Sequence, residues 1–193
     1  MISFCLMAAY YNVTICGLKR RLPLIPISQK TKIASFNILG DVELTEIAAA
    51  HLAKKLKKYD FDYLVGPEVK VVPLIHSLAS KLGHKLYVIC RKSVKPYMIS
   101  PLVLKPLSHF PKHVRPLVID GVDKLRLAGK RVVIVDDVVS TGVTIRMIQH
   151  LMEKLDASVV ATAAIIRQGE KQFDTIENFI YLCELPIFKV REI

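Results

Sequence analysis

The chain has 193 residues, enough for one domain with a sizeable core, and its hydrophobic fraction of 52% excludes a disordered polymer. No apolar run approaches the length of a bilayer span, which argues against a membrane protein. The net charge of +11 leaves two classes of partner open, nucleic acid and a strongly anionic small molecule.

Residues 8 to 38 read as β-rich and irregular, because the prolines of Leu22-Pro23-Leu24-Ile25-Pro26-Ile27 interrupt any helix. The apolar start Met7-Ala8-Ala9 is broken by Tyr10, Asn12 and Thr14 and is followed, not preceded, by Lys19, Arg20 and Arg21, the wrong order for a secretory signal. Cys5, Cys16, Cys90 and Cys183 form no C-x-x-C pair and sit among apolar residues, as reduced thiols of a cytoplasmic protein would. A helix is predicted from about Asp41 to Lys58, with Leu44, Ile47, Ala48, Leu52 and Leu56 on one side. Its first turn holds Asp41 and Glu43 and its end holds Lys54, Lys55, Lys57 and Lys58, as the helix dipole favours.

A strand over 61–65, a helix over 72–82 and a strand over 86–90 follow. The five prolines between Pro96 and Pro116 predict a long loop or hairpin. A strand over 132–135, a helix to about Leu155 and a strand over 158–166 complete an alternating series. Such alternation implies an α/β fold: one domain over 1–193 with a mostly parallel sheet flanked by helices, and ligands at the carboxyl ends of the strands.

The segment Val132 to Thr144 carries the most chemistry. Four branched apolar residues form a buried strand, Asp136 and Asp137 follow, and Ser140-Thr141-Gly142 leads into a helix marked by Ile145, Ile148, Leu151, Met152 and Leu155. A helix start with free N–H groups and neighbouring hydroxyls suits a phosphate. Paired carboxylates cannot serve that phosphate; they suit sugar hydroxyls or a metal, so the ligand is expected to be a phosphorylated sugar. A plain strand-to-helix turn with good capping residues is the bland reading. Eight isolated glycines supply neither a G-x-G-x-x-G loop nor a G-x-x-x-x-G-K-[S/T] loop.

Two other segments fall at strand ends. Gly66-Pro67-Glu68-Val69-Lys70 follows the 61–65 strand, and as a bare pattern it is a tight turn. Arg91-Lys92-Ser93-Val94-Lys95 follows the 86–90 strand, and alone it is a solvated charge run. No acidic residue occurs from Lys92 to Ile119, whereas Lys95, Lys105, Lys112 and Arg115 are spread through that stretch. No helix-turn-helix or aromatic-basic RNA motif claims this charge, so nucleic acid is the less expected partner.

Residues 132–144 resemble the phosphoribosyl pyrophosphate signature of type I phosphoribosyltransferases: apolar strand, Asp-Asp, three variable residues, Thr-Gly-x-Thr. From about Asp41 to Ile166 the chain resembles the adenine phosphoribosyltransferase-like branch. The resemblance implies a core over about 41–193 and a small β-rich amino-terminal hood over about 1–40. It implies that Asp136 and Asp137 hold the ribose hydroxyls, with Asp137 stabilising an oxocarbenium-like transition state. Val139, Ser140, Thr141, Gly142, Val143 and Thr144 would wrap the 5′-phosphate. Glu68, Val69 and Lys70 stand where the usual pattern is Glu-Ala-Arg-Gly and would bind pyrophosphate, with Lys70 lacking the guanidinium fork. Arg91, Lys92 and Lys95 match Arg-Lys-x-x-Lys and would share the leaving-group charge, Lys92 as a catalytic residue.

The base would lie between Phe36, as a stacking platform, and Val138, although a core role for Phe36 is equally open. The family's loop glutamate has no counterpart; His109 or His113 could replace it or be plain loop residues. Mg²⁺ would be held mainly by the substrate, with no direct protein ligand set. Activity expected from the resemblance is transfer of a phosphoribosyl group to a purine, with adenine first, in purine salvage, by a homodimer. The competing class is a non-catalytic regulator that senses the same ligand and binds nucleic acid.

Overall fold

The computed structural model describes residues 9–106, 114–169 and 176–189; Lys112, His109 and His113 lie outside them. Five parallel strands form the central sheet, in the order β10 (Phe179–Leu185), β9 (Ser158–Gln168), β8 (Arg131–Val139), β4 (Tyr63–Pro67), β5 (Val88–Cys90). The fold is therefore α/β with a parallel sheet, as the alternating pattern predicts.

Strand β8 shows how the sheet is sandwiched. Val133 and Val135 point to the layer containing Leu44, Leu52 and Leu56 of helix α1 (Val42–Leu56) and Leu74, Ile75 and Leu78 of α2 (Val72–Leu82). Val132 and Ile134 point to the opposite layer, with Ile145, Ile148 and Leu151 of α4 (Val143–Glu153) and Leu127 of the short α3 (Gly121–Leu127). All four valine and isoleucine side chains are fully buried, as a strand covered on both faces requires. Asp41 caps α1 by accepting from the Leu44 N–H at 3.1 Å, and Pro73 in the first turn of α2 removes an N–H that would have had no helical partner.

Several boundaries differ from expectation. Both aspartates lie inside β8, because its pairing with β9 continues through Val139 opposite Arg167. The β4 strand starts at Tyr63, two residues late: Phe61 instead stacks on His84 at 4.9 Å, and Asp62 exchanges hydrogen bonds with Arg131. The β5 strand starts at Val88, leaving Leu86 half exposed. The proline-rich stretch is closed by an antiparallel pair, β6 (Leu102–Leu104) and β7 (Leu117–Ile119).

A second, antiparallel sheet takes the order β1 (Tyr10–Ile15), β2 (Leu18–Ser28), β3 (Thr31–Ala34), β11 (Ile187–Lys189). It is the β-rich amino-terminal unit, with its fourth strand returned from the other end of the chain. Arg20 of β2 ties it to the core by donating to both oxygens of Asp41, at 2.7 and 2.9 Å, and to Glu43 at 2.8 Å. Burial opposes charge on Asp41, but the Arg20 guanidinium holds its carboxyl below the usual range. Among the described residues no helix is long and apolar enough to cross a membrane.

Candidate active site

A cavity of about 530 Å³ opens at the carboxyl ends of β4 and β8. Its depth depends on Gly66. A Cβ there would lie 2.6 Å from the Val135 carbonyl oxygen and 2.9 Å from the Val71 side chain, so only glycine lets the two strands approach this closely.

Asp136 and Asp137 lie on the cavity wall, 8% and 7% exposed. Asp136 accepts the Asp137 N–H at 2.8 Å, whereas Asp137 Oδ2 is buried without a hydrogen-bond partner. Burial, reinforced by repulsion from Asp137, pushes the Asp136 carboxyl well above the ordinary carboxylate range; the Lys92 charge opposes this. A buried acceptor without a partner is costly, and a ligand hydroxyl would satisfy it.

The turn beyond β8 leads through Ser140 and Thr141 to Gly142, whose φ of 69° lies in the left-handed region that favours glycine. Gly142 caps α4 without a side-chain hydrogen bond, leaving the first-turn N–H groups of an 11-residue helix available to an anion. Arg146 donates to the Thr141 carbonyl at 3.0 Å and holds the turn. Ser140, Thr141, Val143 and Thr144 line the cavity, while Val139 is buried in the strand and offers only backbone.

The anion-binding elements are arranged differently from expectation. Glu68 does not present a free carboxylate to pyrophosphate. One oxygen accepts from Arg91 Nε at 2.5 Å and the other from the Lys92 N–H at 2.7 Å, joining the loops after β4 and β5. Burial alone would raise this carboxyl, but those two donors hold it below the usual range. Glu68 still lines the cavity, with its charge met by the Arg91 guanidinium. The Glu68–Val69 peptide bond is cis.

Arg91 is also engaged by the Tyr97 hydroxyl at 3.1 Å, and Lys95 donates to Ser93 at 2.8 Å; neither cation lines the cavity. Lys70, Lys92 and exposed Val69 do. On the side assigned to the base, Val138 lines the cavity. Phe36 does not: it is 5% exposed and packs in the α1–α2 layer, so of the two readings for Phe36 the structure supports the core one. Arg115, one of the cations of the acid-free stretch, lines the cavity as well, and Val114, Leu117 and Met147 are lining residues that local pattern did not single out.

Among the described residues no cluster of three or more His, Cys, Asp or Glu could hold a metal ion. Two carboxylates, one with an oxygen lacking a partner, fit a Mg²⁺ ion whose ligands come chiefly from substrate oxygens.

The pattern described as the phosphoribosyl transferase domain matches residues 36–190. The chain belongs to the phosphoribosyltransferase family. This phosphoribosyltransferase is 32% identical over 129 residues to the adenine phosphoribosyltransferase of Thermosipho africanus, covering 67% of this chain and 72% of the relative. It is also 27% identical over 158 residues to the orotate phosphoribosyltransferase of Thermococcus gammatolerans, covering 81% and 72%. The solved adenine phosphoribosyltransferase of Thermoanaerobacter pseudethanolicus superposes with a TM-score of 0.62 at 26% identity, over 91% of this chain and 95% of that one. The fold is that of type I phosphoribosyltransferases, in the branch of the adenine enzymes, and the protein is accordingly a glycosyl-transferring enzyme.

Proposed function

We propose that this phosphoribosyltransferase transfers the 5-phosphoribosyl group of phosphoribosyl pyrophosphate to adenine, giving the nucleoside monophosphate and pyrophosphate. The observation that carries this reading is the meeting, in one cavity, of an uncapped helix start, two buried carboxylates and the cations Lys70 and Lys92. The α4 start and the hydroxyls of Ser140, Thr141 and Thr144 would take the 5′-phosphate, and Asp136 and Asp137 the ribose hydroxyls. The bond between C1 and the pyrophosphate oxygen breaks with its electron pair leaving on pyrophosphate, while a purine ring nitrogen bonds C1 and releases its proton. Asp137 would stabilise the positive charge developing on the sugar, and Lys70 and Lys92 the negative charge departing from it. Bound Mg²⁺ would neutralise part of the pyrophosphate charge.

Adenine is favoured because adenine enzymes stand among the relatives at about a third identity. The same reading makes the protein a cytoplasmic homodimer of purine salvage, which light scattering on a size-exclusion column would test. The base is tested by kcat/KM for adenine, hypoxanthine, guanine, xanthine and orotate with phosphoribosyl pyrophosphate and Mg²⁺. Adenine is expected to lead; preference for orotate or another purine would overturn the assignment of the base.

A further inference from the structure

We infer that Arg115 is a pyrophosphate-binding residue, supplying the guanidinium fork that the Lys70 loop lacks; the inference rests on the transferase reading above. Arg91 and Val118 exchange both backbone hydrogen bonds at 2.8 Å in an antiparallel bridge. One step along each chain sets Lys92 beside Leu117. Arg115 lies two residues before Leu117, and Pro116 disfavours helical backbone at Arg115, so the two side chains share a face of an extended segment. Lys92, Leu117 and Arg115 all line the cavity.

Among the described residues nothing engages the exposed Arg115 guanidinium, in contrast to Arg91, which Glu68 and Tyr97 occupy. With Lys70 and Lys92, this guanidinium makes a set of three cations lining one cavity. Arginine binds phosphate through two parallel N–H donors, whereas lysine acts as a point charge. The adenine-type pattern places an arginine in the β4 loop. Here that position is Lys70, and the only cavity-lining arginine among the described residues arrives from the strand entering β7.

The test is the inhibition constant of pyrophosphate as product, with the KM for adenine as internal control. Arg115→Ala should weaken pyrophosphate by about 10- to 100-fold, the loss of charge-assisted hydrogen bonds, and leave the adenine KM and the melting temperature unchanged. Arg115→Lys should recover only part of the affinity, and Lys70→Arg added to Arg115→Ala should recover more. Wild-type pyrophosphate affinity in Arg115→Ala, or equal loss for pyrophosphate and adenine, would overturn the inference. A wild-type protein that neither binds phosphoribosyl pyrophosphate nor turns over would instead overturn the transferase reading itself.

Discussion

At the scale of single residues, Glu68 and Asp136 separate two ways a carboxylate serves an anion-handling site. Glu68 sits against the neighbouring loop, pairing with the Arg91 guanidinium and holding the Lys92 backbone N–H. Removing it should displace that wall, and small displacements of positioning groups cost about 10²-fold in rate. Glu68→Ala is therefore expected to lower kcat/KM for phosphoribosyl pyrophosphate by about 10- to 100-fold. Glu68→Gln, which keeps an acceptor for the Lys92 N–H, should lose less; steady-state kinetics measures both.

Asp136 is buried beside a second carboxylate, and its carboxyl titrates well above the ordinary range. The native state then retains a proton that the unfolded chain has released. Stability of the ligand-free protein falls as pH rises above about 4 and levels off once the pH passes the raised native value. Asp136→Asn removes this penalty. Its melting temperature should exceed that of the wild type at pH 7, with the gap closing toward pH 4 in a calorimetric pH series.

At the scale of elements, the site exists because β4 and β8 run close together. Gly66→Ala places a methyl 2.6 Å from the Val135 carbonyl, and overpacking of this kind costs about 1–3 kcal/mol. Urea denaturation should show a lower midpoint, with activity reduced because the Glu68–Lys70 loop starts at the displaced strand. Strands β4, β5, β8 and β9 and helices α1, α2 and α4 were legible in the sequence, since each carries a strong hydrophobic period or an apolar run, whereas the fifth strand of the sheet, β10, was not read. The cradle at 136–144 was legible because its residues are contiguous. Short elements were not. Seven residues are too few for α3 to show a helical period, and three too few for β11 to show alternation. The roles of Glu68 and Arg91 were also hidden: both carry charges typical of anion sites, and only their distance of 2.5 Å shows that they neutralise each other. Phe36 offered no local sign to distinguish a stacking platform from a core ring.

At the scale of the whole molecule, the two sheets are joined by contacts between distant residues that no local pattern reveals. Ile187 of β11, which follows β10 of the central sheet, pairs with Ile33 of β3 inside the small sheet, and buried Gln168 at the end of β9 donates across to the Ala34 carbonyl at 3.0 Å. These ties set the small sheet against the core that carries the cavity. Part of the positive charge is gathered there. Lys70, Lys92 and Arg115 face the space beside an uncapped helix start, the arrangement a phosphorylated sugar with a pyrophosphate leaving group calls for. The most direct test of that claim is ³¹P NMR of the purified protein with phosphoribosyl pyrophosphate, adenine and Mg²⁺. Pyrophosphate and nucleoside monophosphate should appear in equal amounts, and Asp137→Asn, still folded, should produce neither at a comparable rate. Unchanged phosphoribosyl pyrophosphate with adenine and every other base, together with tight, salt-sensitive binding of DNA or RNA, would contradict the account.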